Sequence, residues 1–116
     1  MNLALNGQLQ TIASGTGHLC AYVKGKGRPL ILVHTINAAA SAAEVRPLFE
    51  SLSQHRTVYA IDLPGYGLSE RADRLYTPRL MTDAIHDLVQ QIQTVHGTQA
   101  IDALAVSLSC EFLARA

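Results

Sequence analysis

The stretch TVYAIDLPGYGLS, residues 57–69, opens with an apolar, partly β-branched run and ends in a loop rich in turn formers. A short run that is apolar at consecutive positions, rather than alternating, suits a strand covered on both faces, as in a parallel sheet. The sequence therefore predicts a buried strand over Thr57 to Leu63, followed by a tight loop, PGYGLSER. Upstream, LILV at Leu30 to Val33 reads the same way. Between the two, Ser41 and Glu44 have capping-box spacing, and Val45, Leu48, Phe49 and Leu52 recur at helical intervals, predicting a helix from about Ala42 to Gln54. Downstream, Thr77 caps a helix that opens with Pro78; Met81, Ala84, Ile85, Leu88, Ile92 and Val95 form its apolar stripe, and Gly97 stops it. AIDALAVS, Ala100 to Ser107, is a third buried strand, and LSCEFLARA after it suits a helix. At the front, LQTIA and HLCAYVKG flank the turn-rich SGTG of Ser14 to Gly17, a hairpin signal. Strands that alternate with helices imply βαβ crossovers. The class is α/β: a mostly parallel sheet with an N-terminal antiparallel hairpin and helices on both faces.

Composition narrows the function. The chain has 116 residues, 48% hydrophobic and 16% charged, with nine Lys and Arg against nine Asp and Glu. That suits one domain, residues 1–116, and a chain of this size buries about two thirds of its unfolded surface without disulfides or metal. Zero net charge and scattered single cations give no footprint for nucleic acid or an anionic membrane. No window of about 18 residues is apolar enough to span a bilayer, and the N-terminus lacks a basic region followed by a long apolar one. A cytoplasmic protein is expected. Cys20 and Cys110 have neither disulfide-scaffold nor zinc spacing, so no metal is expected. GKGRPL begins as GxG at Gly25 but precedes a strand, whereas a dinucleotide fingerprint follows one.

ALAVSLSCEF, Ala103 to Phe112, carries the chemistry. A nucleophile on a strained strand-to-helix turn needs small residues two before and two after it. Ser107 has Ala105 and Ser109 in those places; Ser109 would have Glu111, and Cys110 would have Leu108 and Phe112. Taken alone, AxSxS fits equally a serine that ends a strand and caps a helix. Its company decides the matter. DLPGYGLS at Asp62 to Ser69 follows a buried strand, and with LILVHTINAAASAAEVRPLFESL at Leu30 to Leu52 it resembles the α/β-hydrolase superfamily, whose corresponding loop reads D-x-P-G-x-G-x-S. In that family the loop is structural.

The resemblance covers Leu9 to Ala116 and implies the front half of the family's domain, ending just after the nucleophile turn. It implies Ser107 as the catalytic nucleophile and the backbone N–H groups of Ile36 and Leu108 as the oxyanion hole. Thr35 stands where the family has a glycine after the histidine. Two roles are open to Asn37: a side-chain donor to the oxyanion, or a partner for the loop backbone. His34 is assigned a structural hydrogen-bonding role rather than that of base; His18, His55, His86 and His96 are assigned surface or packing roles. No cofactor is implied. The family's triad runs nucleophile, acid, histidine, yet after Ser107 there is only Glu111 and no histidine.

The expected parent activity is ester hydrolysis by a serine nucleophile, with a small ester-like substrate; thioester, amide and carbon–carbon hydrolysis stay open. The 116 residues alone are expected to be inactive. The family's strand order also puts the strand before Ser107 at an open sheet edge, a place for self-association. The alternative reading is a non-catalytic interaction module on a hydrolase-derived scaffold, supported by the missing histidine and the substituted glycines. In a third, a second chain supplies the histidine.

Overall fold

Leu30 to Val33 and Val58 to Ile61 are buried without interruption, which a sheet achieves only when both its faces are covered. The computed structural model describes residues 7–14, 17–34, 45–64, 66, 69, 78–97 and 100–105. These form strands β1 (Gln8–Ser14), β2 (Gly17–Lys24), β3 (Pro29–Val33), β4 (Thr57–Asp62) and β5 (Asp102–Ala105), with helices α1 (Arg46–Leu52) and α2 (Pro78–His96). One sheet results, in the order β1-β2-β4-β3-β5. β3, β4 and β5 run parallel, and the β1–β2 hairpin joins antiparallel through β2 and β4. The predicted α/β architecture is the one observed.

The step from β3 to β4 moves one way across the sheet and the step from β4 to β5 moves back past β3. Right-handed crossovers in opposite directions put their helices on opposite faces. The core divides accordingly. Leu30 and Leu32 face α1, in a cluster with Tyr22, Val58 and Phe49. Ile31 and Val33 face α2, in a cluster with Ile61, Met81, Ile85 and Leu88. Tyr59 also ties α2 to the sheet: its hydroxyl and Nε2 of His96 are hydrogen-bonded at 2.8 Å.

Three expectations of burial need correction. At α1, the N-cap Val45 and the helical Phe49 are buried but Leu48 is 39% exposed. Helical spacing allows a stripe about three residues wide, and this seven-residue helix uses only its centre. Its N-cap is Val45, with no side-chain capping bond, and Pro47 in the first turn needs no hydrogen-bond partner for its nitrogen. Ser41 and Glu44 lie outside the described residues. Val95 is 63% exposed because the apolar stripe of α2 runs past the surface it covers. The third strand is exposed rather than buried: Asp102, Ala103 and Leu104 are open to solvent, Leu104 by 43%. An apolar run predicts cover on both faces, but among the described strands β5 stands at the end of the sheet and pairs only with β3. Among the described residues no helix is long and apolar enough to cross a membrane.

Candidate active site

The connection after β3 leads to α1 on one face and the connection after β4 to α2 on the other, the arrangement that in open α/β sheets leaves room for a ligand at the carboxyl ends of the strands. At this end His34 directly follows β3 and is completely buried. Its Nε2 accepts a hydrogen bond from the Leu63 backbone N–H at 3.0 Å. The ring of Tyr66 flanks it, with centroids 5.1 Å apart and planes tilted by 58°. An imidazole nitrogen that accepts is unprotonated, so neutral His34 carries its proton on Nδ1 and has no second lone pair to offer a serine. The assigned structural role fits this geometry: His34 joins the exits of two parallel strands.

The loop after β4 is held by a hydroxyl. Ser69, buried, donates to the Asp62 carbonyl through Oγ, and the same Oγ accepts the N–H of Cys20 at 2.9 Å. One serine thus returns the loop to β4 and to β2, which gives the final position of DLPGYGLS its physical purpose. Ser69→Ala deletes an acceptor for a buried backbone donor and is expected to destabilise the fold by about 1–3 kcal/mol. A urea melt checks it, and an unchanged midpoint would refute the role. Beside this serine, burial is the main cause that pushes the Cys20 thiol above its usual pKa; the Thr11 hydrogen bond opposes the shift and the Asp62 charge adds to it. A thiol so held stays protonated and is a poor nucleophile.

Ser107, Ile36 and Leu108 lie outside the described residues, as do Thr35, Asn37, Gly65, Gly67, Glu111 and Cys110. The frame that leads to them is described. Val33 and Ala105 are direct partners in the β3–β5 ladder, so the two strands that precede Ile36 and Ser107 end side by side. His18, His55 and His86 are exposed, and His96 packs against Tyr59. A cluster the sequence reading missed lies at the opposite end of the sheet, where Arg28, Arg56 and Asp102 form two ion pairs at 2.9 Å. Its signal was present: oppositely charged residues stand at the entrances of three adjacent strands.

Residues 28–114 match the alpha/beta hydrolase fold family, and the chain belongs to it. It is 34% identical over 67 residues to the 2-hydroxy-6-oxo-6-(2'-aminophenyl)hexa-2,4-dienoic acid hydrolase of Metapseudomonas resinovorans, covering 57% of this chain and 23% of that protein. Its fold is similar to that of the N-formylmaleamic acid deformylase of Pseudomonas putida S16, with a TM-score of 0.79 at 22% identity, over 93% of this chain and 40% of that one. A serine hydrolase involved in carbazole degradation matches with a TM-score of 0.80 at 22% identity, over 92% of this chain and 41% of the other. The chain therefore spans less than half the length of each of these proteins.

Proposed function

We propose that these residues are the front part of a serine hydrolase that cleaves acyl compounds, with an ester as its substrate class. The observation that carries the reading is the in-register pairing of Val33 with Ala105. Ile36 follows the first by three residues and Ser107 follows the second by two, so an oxyanion donor and a nucleophile would enter one crevice from neighbouring strands. Ser107 Oγ bonds to the carbonyl carbon and gives its proton to a base, while the carbonyl electron pair moves to an oxygen held by the Ile36 and Leu108 amides. The acyl-enzyme forms as the protonated leaving group departs. Water then repeats the addition and releases the acid.

The named activities of the relatives support hydrolysis: one is a dienoic acid hydrolase, one a deformylase and one a serine hydrolase. Thioester, amide and carbon–carbon substrates share the same first step. His34 does not serve as the base in this scheme, because its Nε2 is engaged with Leu63. No histidine follows Ser107 in these 116 residues, and they are expected to react at least about a thousandfold more slowly than a complete triad.

A fluorophosphonate probe tests the reading on the polypeptide translated from the entire reading frame. The expected result is one label at Ser107, absent from Ser107→Ala. A folded polypeptide that takes no label would overturn the assignment and favour a non-catalytic module.

A further inference from the structure

β5, described over Asp102–Ala105, pairs only with β3 among the described strands. Slippage by one residue would exchange the faces of such a strand. Three charged side chains meet where it enters the sheet. Arg28 precedes β3, Arg56 precedes β4, and Asp102 opens β5. Oδ2 of Asp102 accepts from Nη2 of Arg28 and from Nη2 of Arg56, each at 2.9 Å. Arg56 cannot simply follow the carboxylate, because its Nε donates to the Arg28 carbonyl at 2.7 Å and its Nη2 to the Pro29 carbonyl at 3.0 Å. Its guanidinium is thereby anchored to the entrance of β3 and reaches β5 from a fixed point. The ladder partner of Asp102 is Leu30, one residue into β3 from Pro29. A one-residue slip would carry the carboxylate about 3.3 Å along the sheet and turn it to the other face, breaking both bonds.

We propose that Asp102 is a positioning residue: with Arg28 and Arg56 it pins the register of β5 and so fixes the strand whose end leads into Ser107. The functional part of this rests on the reading of Ser107 as nucleophile. Arg56, by hydrogen bonding, and then Arg28, by its charge, hold the Asp102 carboxyl below the usual carboxylate range. Because the folded value is the lower one, the pin is at full strength above about pH 4 and fades as pH falls through the depressed value. Among the described residues, Arg28 and Arg56 are the charged groups paired with it.

Amide hydrogen exchange on the 116-residue chain tests the pin without any chemistry, with β2 and β4 as internal references. Asp102→Asn is expected to lower β5 protection by about fivefold at neutral pH and to abolish its acid dependence, leaving β2 and β4 unchanged. Asp102→Glu should recover part of the protection, and Arg28→Gln should give an intermediate loss. Equal β5 protection in wild type and Asp102→Asn would overturn the pin; so would an equal loss in every strand. In the polypeptide from the whole reading frame, Asp102→Asn should also slow fluorophosphonate labelling, with recovery in Asp102→Glu. Undiminished labelling despite lost β5 protection would overturn the positioning role. Absence of label from wild type would instead refute the nucleophile and leave the exchange result to decide the pin.

Discussion

Gly25→Ala is expected to destabilise the fold by about 3–5 kcal/mol, a large part of a domain's total stability. Gly25 has φ +94°, and a Cβ there would lie 2.1 Å from the Arg56 carbonyl oxygen and 2.2 Å from that of Ser53. Both obstacles are backbone, so no side chain can swing aside. The left-handed conformation alone accounts for about 1–2 kcal/mol in a residue with a side chain; separating the turn before β3 from the turn before β4 accounts for the rest. The displaced segment includes Arg56, so the damage would reach Asp102 and β5 as well. Urea denaturation with intrinsic tyrosine fluorescence would measure the shift. A variant within about 1 kcal/mol of wild type would show that the two turns are not in the contact described.

Phe49→Ala is expected to cost a similar amount, about 3–5 kcal/mol, by deleting a large buried side chain and leaving a cavity. Phe49 is fully buried and is the one buried residue of α1. The helix is too short to persist on its own propensity, so its attachment depends on this ring. The consequence should be regional: exchange protection in α1 falls first, whereas α2, on the other face, holds until global unfolding. Leu48→Ala, at a position 39% exposed, supplies the comparison and should change stability by less than about 0.5 kcal/mol. Comparable losses in the two variants would refute the packing described.

Much of the sheet was legible because its evidence is local. LILV and TVYAID bury every apolar residue they contain, and Gly97 ends α2 where its positive φ of 67° permits. What misled was apolar sequence whose cover depends on distant partners. Leu104 sits in the apolar run ALAV, yet its exposure is decided by what lies beside β5, which the run does not encode. Leu48 and Val95 fit their helical stripes, but a stripe does not say where the surface beneath it stops. At the site, DLPGYGLS announced the family, and the use of its last hydroxyl as a two-way bridge became visible only once Cys20, 49 positions away in sequence, was beside it. His34 was legible as structural only through the family resemblance; its bond to the Leu63 N–H came from the fold. The residues that would perform the chemistry were reached by motif alone.

The interleaved strand order has a consequence for how the chain is made on a ribosome. β1 and β2 emerge first and can pair with each other, but the next neighbour of β2 is β4 rather than β3. β3 likewise borders β4 and β5, both encoded after it. Until Asp62 has left the exit tunnel, β2 and β3 therefore both wait for β4, the neighbour they share. During that interval Leu30 to Val33 is the segment most in need of a chaperone's shelter.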